Sequence, residues 1–264
     1  MYYQFRSFPY GAELYWSAPF VSIWHLKLRN GTILAFGENA PLQAIIDKHG
    51  NTTTISRASV NQFGVPIGNV TRVTSPNGKY IDFTYSGSRI TKIKDNMNRE
   101  VNYTYDASGR LWKVNDANNG VTEYTYDLSH RMTSIKDARG IVYLTNEYDA
   151  NGRVRKQTLA DDTPATNADN PKYFFNYVTN SGGNVIQTDI TDPRGIVRRI
   201  TFNDKGYWLT NASALGTGDE QTSSVERQPN TNLVMNIIDP LGRRTAFTYE
   251  QFGRVTSALK FSAL

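Results

Sequence analysis

Residues 103–110 read Tyr103-Thr104-Tyr105-Asp106-Ala107-Ser108-Gly109-Arg110. The same grammar returns as Tyr124-Thr125-Tyr126-Asp127-Leu128-Ser129-His130-Arg131, and then as Glu147-Tyr148-Asp149-Ala150-Asn151-Gly152-Arg153. With Arg89 ahead of them, the closing arginines fall at 89, 110, 131 and 153, in steps of 21, 21 and 22 residues. Self-similarity at a fixed period of this length marks an array of small units that bury one another. It argues against a single local active site.

Each unit resolves into two strands and two turns. Arg110-Leu111-Trp112-Lys113-Val114 reads as a short strand, and Asn115 to Gly120 is turn chemistry, since Asn, Asp and Gly tolerate positive φ. Val121 to Tyr126 alternates as a strand does, and Asp127 to Arg131 turns the chain again, with His130 where the other units have Gly. Repetition of this element predicts an all-β meander of two-stranded hairpins. Ile81, Phe83 and Tyr85 share a face, as do Val101, Tyr103 and Tyr105, and Thr245, Phe247 and Tyr249. Cross-strand pairs of this kind contribute about 0.2–1 kcal/mol each. The short strands break period two: Ile90 and Ile93, Leu111 and Val114, and Met132 and Ile135 lie three apart. A bulge in each unit, re-aiming one side chain, is the expected cause and a regular source of curvature.

Looser copies extend outward from this centre. Asp47-Lys48-His49-Gly50-Asn51 is an early turn, and Arg29-Asn30-Gly31-Thr32 carries the Asn-Gly signal of a two-residue type I′ hairpin. Ser75-Pro76-Asn77-Gly78, Asp192-Pro193-Arg194-Gly195 and Asp239-Pro240-Leu241-Gly242 are turns in which Pro presets φ and Gly supplies the positive φ. Phe202 to Gly206 and Tyr249 to Arg254 are decayed copies. The whole of 1–264 reads as one array: clearest repeats at 75–160, a polar loop insertion at 160–171, and decayed repeats at 172–259, with a Gly-rich loop from Leu215 to Gln221. No stretch of ten residues has helical periodicity.

Of the 264 residues, 39% are hydrophobic and 20% charged, too apolar a balance for disorder. The 16 tyrosines suit a half-buried sheet surface. The absence of cysteine excludes disulfides and thiolate metal centres. Met1-Tyr2-Tyr3-Gln4-Phe5-Arg6 lacks the form of a signal peptide, and no apolar run is long enough for a membrane-spanning helix. The net charge of +5 is spread about one arginine per repeat, without the clustering of a nucleic-acid footprint.

Side chains that could carry chemistry have simpler uses here. His25 falls in a strand and His49 and His130 in turns, and no Gly-x-Ser-x-Gly elbow supports a Ser-His-Asp arrangement. Asp82, Asp95, Asp116 and Asp137, with Asp106, Asp127 and Asp149, read as turn caps; convergence of such carboxylates on calcium is the alternative. Exposed aromatic cages of a carbohydrate-binding module are the other alternative, weakened because Trp112 occurs in only one copy. The expectation is therefore no catalytic site, no cofactor and no metal, with a set of structural repeat positions: Tyr85, Arg89, Tyr103, Tyr105, Asp106, Gly109, Arg110, Gly120, Tyr124, Tyr126, Asp127, Arg131, Tyr148, Asp149, Gly152, Arg153, Gly195, Gly242, Tyr249, Gly253 and Arg254.

The Tyr-Asp-x-x-Gly-Arg unit, followed by x-x-x-Ile-x-Asp-x-x-Gly and again by Tyr-x-Tyr-Asp, resembles the RHS/YD-repeat family, best over Thr84 to Gly152 and loosely from Trp24 to Arg254. That resemblance implies a strand ribbon spiralling into a β-shell, as in bacterial polymorphic toxins, the cocoon of insecticidal Tc toxins, and teneurins. It implies a secreted or cell-surface structural role, with further RHS repeats and an encapsulated C-terminal passenger as partners. Cell-surface glycans are the partners under the carbohydrate-binding alternative. In bacterial members an aspartate-dependent self-cleaving segment closes the shell; Asp239-Pro240-Leu241-Gly242 is similar only superficially, being followed by ordinary repeat sequence. The chain reads as a fragment of such a shell, expected to self-associate through open strand edges.

Overall fold

The computed structural model describes residues 4–5, 13–17, 23–37, 39–62, 64–160, 170–251 and 253–262. Among them are 23 strands and no helix, hence no helix long and apolar enough to cross a membrane. The chain divides into two compact units, Met1–Glu123 and Tyr124–Leu264, the boundary falling inside the Val121–Tyr126 strand. In each unit, strands consecutive in the chain pair antiparallel. The first unit runs from Gln4–Phe5 to Leu111–Asn115 and the start of the boundary strand. The second continues from Met132–Lys136 to Val255–Phe261. The middle of the polar insertion, residues 161–169, lies outside the described residues, as do parts of the N-terminal stretch and Phe252.

Register sorts the residues onto two unlike faces. In the first unit Phe83 lies opposite Ile93, Val101 opposite the same Ile93, Tyr103 opposite Val114, and Tyr105 opposite Leu111. This is the aromatic and aliphatic face. The other face is a ladder of charge: Arg72, Asp82, Lys94 and Glu100 are successive cross-strand partners of alternating sign. Arg72 grips Asp82 through Nη2 and Oδ2 at 2.7 Å, and Lys92 reaches Glu100 at 2.9 Å. In the second unit Leu144 lies opposite Leu159, and Phe175 opposite Ile190, on the apolar face. Glu147 with Lys156 and Asp189 with Arg199 repeat the charge ladder on the opposite face, at 2.7 and 2.8 Å.

Among the described residues nine strands carry one extra residue at the second position after the preceding turn, Tyr143 in Val142–Tyr148 being one of them. The Thr52–Val60 and Pro66–Thr74 pair has irregular register shifts further along. Thr104 faces Lys113 and Tyr105 faces Leu111, so Trp112 is the bulged residue. The same arithmetic singles out Gln43, Thr91, Arg155, Ile186, Leu209, Met235 and Thr256. The bulge explains why Ile90 and Ile93, or Leu111 and Val114, sit three apart yet meet the same apolar face. Each bulge also adds local right-handed twist.

One turn differs from its sequence reading. A type I′ turn needs positive φ at both Asn30 and Gly31, and only Gly31 has it, at 86°. The bonds Leu28 N–H to Thr32 and Gly31 N–H to Leu28 close a three-residue loop instead. Asn30 is used through its side chain, which accepts from the Thr32 N–H at 3.0 Å.

Conventional core is scarce. Among the described residues only Ala35, Val65, Ala212 and Val225 are buried hydrophobic side chains. Val65 is the most enclosed, at 1% exposure, and its Cγ1 sits where a Cβ on Gly37 would have to go. Gly37 is therefore a packing glycine with no positive φ. Overpacking of this kind costs about 1–3 kcal/mol. Gly37→Ala should lower stability by that amount in urea denaturation, and the double variant with Val65→Ala should recover part of the overpacking penalty; an unchanged midpoint in Gly37→Ala would contradict the close approach.

Candidate functional site

The recurrent construction is a turn closed by an aspartate and an arginine. In Asp106 to Arg110 the backbone makes two bonds, Asp106 N–H to Arg110 and Gly109 N–H to Asp106. Gly109 is left-handed at φ 76°, which completes a type I turn plus G1 bulge. Asp106 Oδ1 accepts the N–H groups of Ser108 and Arg110, both at 2.9 Å, and Oδ2 accepts Arg110 Nε at 2.6 Å. Asp127 with Arg131, and Asp149 with Arg153, reproduce every bond. His130 takes the left-handed position at φ 62°. Asp95, Asp137, Asp192 and Asp239 cap the turns at the other ends of the strands in the same way. In Asp116 to Gly120 the left-handed residue is Asn119, while Gly120 closes the turn, its N–H donating to Asp116 Oδ1 and its carbonyl accepting the Asp116 N–H.

Fixing the arginine places its guanidinium under an aromatic ring of the next hairpin. Arg131 lies 4.7 Å from the Tyr148 ring centre and Arg153 4.7 Å from that of Tyr177. The tyrosine hydroxyl then donates to the carbonyl of the residue after the arginine: Tyr148 to Met132 at 2.6 Å, Tyr177 to Val154 at 2.7 Å. Tyr105 does the same to Ile90 at 2.7 Å, with Arg89 looser, 5.7 Å from its ring. Arg89 closes a short Ser86-Gly87-Ser88 turn that has no aspartate to hold it. The glycine of the next turn completes the slot: a Cβ on Gly109 would overlap the Arg89 guanidinium, and one on Gly152 would stand 3.4 Å from Arg131 Nη1. Each stack combines a cation–π contact with a hydroxyl–carbonyl bond, about 0.5–1 and about 1 kcal/mol respectively.

The decayed repeats keep the slot and change its occupant. Leu233 takes the arginine position before Val234; it lies 3.8 Å from the Cβ position of Gly253, and Tyr249 donates to the Val234 carbonyl at 2.6 Å. At Tyr207 the partners are exchanged. Tyr207 holds the arginine position, Arg227 holds the tyrosine position 5.1 Å from its ring, and Arg227 Nε donates to the Trp208 carbonyl at 3.2 Å. Arg254 keeps an ion pair to Glu250 at 2.9 Å.

Of the remaining sequence candidates, Tyr85 pairs across to Ile90 and Tyr103 to Val114. Tyr124 and Tyr126 lie in the strand that holds the unit boundary. Gly195 and Gly242 take φ of 84° and 75°, and Asp239 makes the ordinary capping bonds. His25 is in a strand, where burial holds its pKa below the usual value; His49 and His130 are in turns. Among the described residues no group of three or more His, Asp or Glu side chains is arranged to hold a metal ion. The sequence reading assigned the arginines no partner. Their signal was present as a spacing of 16 or 17 residues from Arg89 to Tyr105 and from Arg131 to Tyr148.

Repeated hairpins locked in this way define an antiparallel β-repeat array. The family model described as RHS Repeat matches residues 105–142. Among solved structures, the crystal structure of TcdB2–TccC3–Cdc42 aligns at a TM-score of 0.53 with 14% identity, over 92% of this chain and 14% of that one. That of TcdB2–TccC3–TEV aligns at 0.46 with 12% identity, over 96% and 17%. No curated protein matches the sequence. The chain thus carries a stretch that matches the RHS Repeat model and shares the β fold seen in TcdB2–TccC3–Cdc42, and it spans 14% of the length of that chain.

The capping carboxyls of Asp106, Asp127 and Asp149 titrate low. In each the backbone N–H of the arginine four residues on is the main cause; partial desolvation opposes it, and the guanidinium adds to it. A depressed folded pKa means that the unfolded chain takes up the proton first. The contribution is fully present above the unfolded value of about 3.9 and is lost as pH falls through the folded one. Asp127→Asn should therefore be less stable than the parent at pH 7, and the gap should close below about pH 4. Denaturation midpoints of both proteins from pH 7 to pH 3 test this; a gap independent of pH would contradict it.

Proposed function

We propose that this chain is a structural shell segment of a secreted or surface-delivered RHS-repeat protein, enclosing or presenting a passenger carried C-terminal to the repeats, with no catalytic chemistry of its own. The observation that carries the reading is where the reactive side-chain types go. Aspartates cap turns, arginines lie under rings, and tyrosine hydroxyls bond backbone carbonyls, repeat after repeat. Such a ribbon acts by exclusion: it separates what lies on one face from what lies on the other. The RHS Repeat match and the fold shared with TcdB2–TccC3–Cdc42 support this role. The bulge that recurs at the second position after a turn supports local bending of the ribbon within each unit.

Trp112, the most cage-like aromatic in the sequence, has the Lys113 ammonium 4.2 Å from its ring, so it is not a bare platform for a sugar. The decisive experiment uses the native polypeptide that carries this chain. Under limited proteolysis its C-terminal passenger should survive a protease dose that digests the same passenger expressed alone. Equal digestion would remove the enclosing role. On a glycan array the 264-residue chain should show no saccharide preference; selective binding to one glycan class would replace the shell reading with the carbohydrate-binding one.

A further inference from the structure

The slot that arginine fills elsewhere is left open at one repeat. In the turn from Asn180 to Asn184 the backbone bonds are the standard ones, Asn180 N–H to Asn184 and Gly183 N–H to Asn180. Asn180 stands in the aspartate position and accepts the N–H groups of Gly182 and Asn184 through Oδ1, both at 3.0 Å. Asn184 stands in the arginine position. Its side chain is too short to reach under the next ring and is turned instead to the Asp204 carbonyl, at 3.3 Å.

The rest of the slot is intact. Phe202 holds the tyrosine position: it faces Trp208 just after a register shift, as Tyr105 faces Leu111. Gly206 holds the glycine position, left-handed at φ 80° with nothing within 4 Å of its Cβ site. Val185 supplies the carbonyl that in other repeats accepts a tyrosine hydroxyl, which Phe202 lacks. Between them is a cavity of about 490 Å³ on the apolar face of the second unit, lined by these three residues and by Tyr177, Asp204 and Lys205 among others.

We propose that this cavity is a docking slot for a guanidinium group, delivered by an arginine side chain of a partner polypeptide. The same fold shows three times what such a slot takes: Arg89, Arg131 and Arg153 each enter an equivalent one from their own chain. A guanidinium also has a precedent at the carbonyl, since Arg227 Nε donates to that of Trp208, the residue equivalent to Val185. The incoming group would lie on the Phe202 ring, donate to the Val185 carbonyl and meet the Asp204 carboxylate. Asp204 uses Oδ1 to accept from Asn180 Nδ2 at 3.0 Å, which orients it at the mouth. Planar delocalised charge suits a ring face and a carbonyl better than a hydrated ammonium does. Lys205 on the rim opposes any cation, so the native affinity is modest and its removal strengthens binding. This slot is independent of whether the chain encloses a passenger.

The test follows the Val185 methyl signals by NMR in the full 264-residue chain, titrated with the blocked tripeptide acetyl-Gly-Arg-Gly-amide and with its lysine counterpart. The arginine peptide should shift them saturably and the lysine peptide at least about threefold more weakly, in keeping with the cation–π and fork geometry that lysine lacks. Asp204→Asn should weaken binding about three- to tenfold. Lys205→Gln should strengthen it. Asn184→Arg should abolish it, because the chain then fills its own slot, and should raise the melting temperature. Unmoved methyls, an equal response to both peptides, or undiminished binding by Asn184→Arg would each overturn the proposal. If Asn184→Arg folds poorly, the opposite effects of Asp204→Asn and Lys205→Gln decide it alone. A saturable shift by neutral saccharides with none by the arginine peptide would also overturn it.

Discussion

A single β-sheet has no second layer to press its apolar face against, so adjacent hairpins must be fastened from within the sheet. Here the fastener is the arginine that closes a turn in the clearest repeats, as Arg131 and Arg153 do. Its backbone and its Nε are held by the aspartate four residues earlier, as in Asp127 and Arg131. Its guanidinium then becomes the seat for a tyrosine of the next hairpin, and that tyrosine bonds back to the strand just left. Turn geometry, side-chain pairing and contact between neighbours are thus one construction. The left-handed glycine serves both ends of it, ending its own turn and leaving room for the previous arginine.

This fastening lets the chain do without a conventional core. Two apolar-face residues on adjacent strands gain from pairing, and the charged ladder on the far face satisfies its members pairwise. Exposed ion pairs are weak singly, about 0–1 kcal/mol each. Their alternation, as in Arg72, Asp82, Lys94 and Glu100, chiefly sets register, since a one-residue slip would move every charge to the aromatic face. Stability in such an array is approximately a sum of unit terms and neighbour terms. The neighbour term here has an identifiable chemical content, and it persists when its parts are exchanged, as the reversed Tyr207 and Arg227 show.

The repeat period made strands and turns legible from sequence because each unit prints its own punctuation. The Val121–Tyr126 strand and the turns at Asp106, Asp127 and Asp149 stand where Tyr-x-Tyr-Asp-x-x-Gly-Arg places them. The bulge was legible as a failure of period two between Leu111 and Val114. Two things were not. Asn30-Gly31 fits both a two-residue and a three-residue loop, and the choice depends on which flanking residues pair, a property of the sheet and not of the dipeptide. The arginine–tyrosine stack was hidden because its partners lie in different hairpins; the separation of 16 or 17 residues depends on strand length and on the bulge. At Tyr177 the polar insertion stretches it to 24 residues from Arg153, beyond recognition by spacing.

The coupling of neighbouring repeats through arginine and tyrosine is the claim on which the account rests, and a double-mutant cycle on Arg131 and Tyr148 measures it directly. Arg131→Met keeps the aliphatic stem and removes the guanidinium, while Tyr148→Leu removes the ring and its hydroxyl. The two singles and the double, compared by urea denaturation, should show a coupling of about 0.5–1 kcal/mol or more. Losses that simply add, to within about 0.3 kcal/mol, would mean that the two side chains stabilise their own hairpins separately and that the repeats are held together by something else.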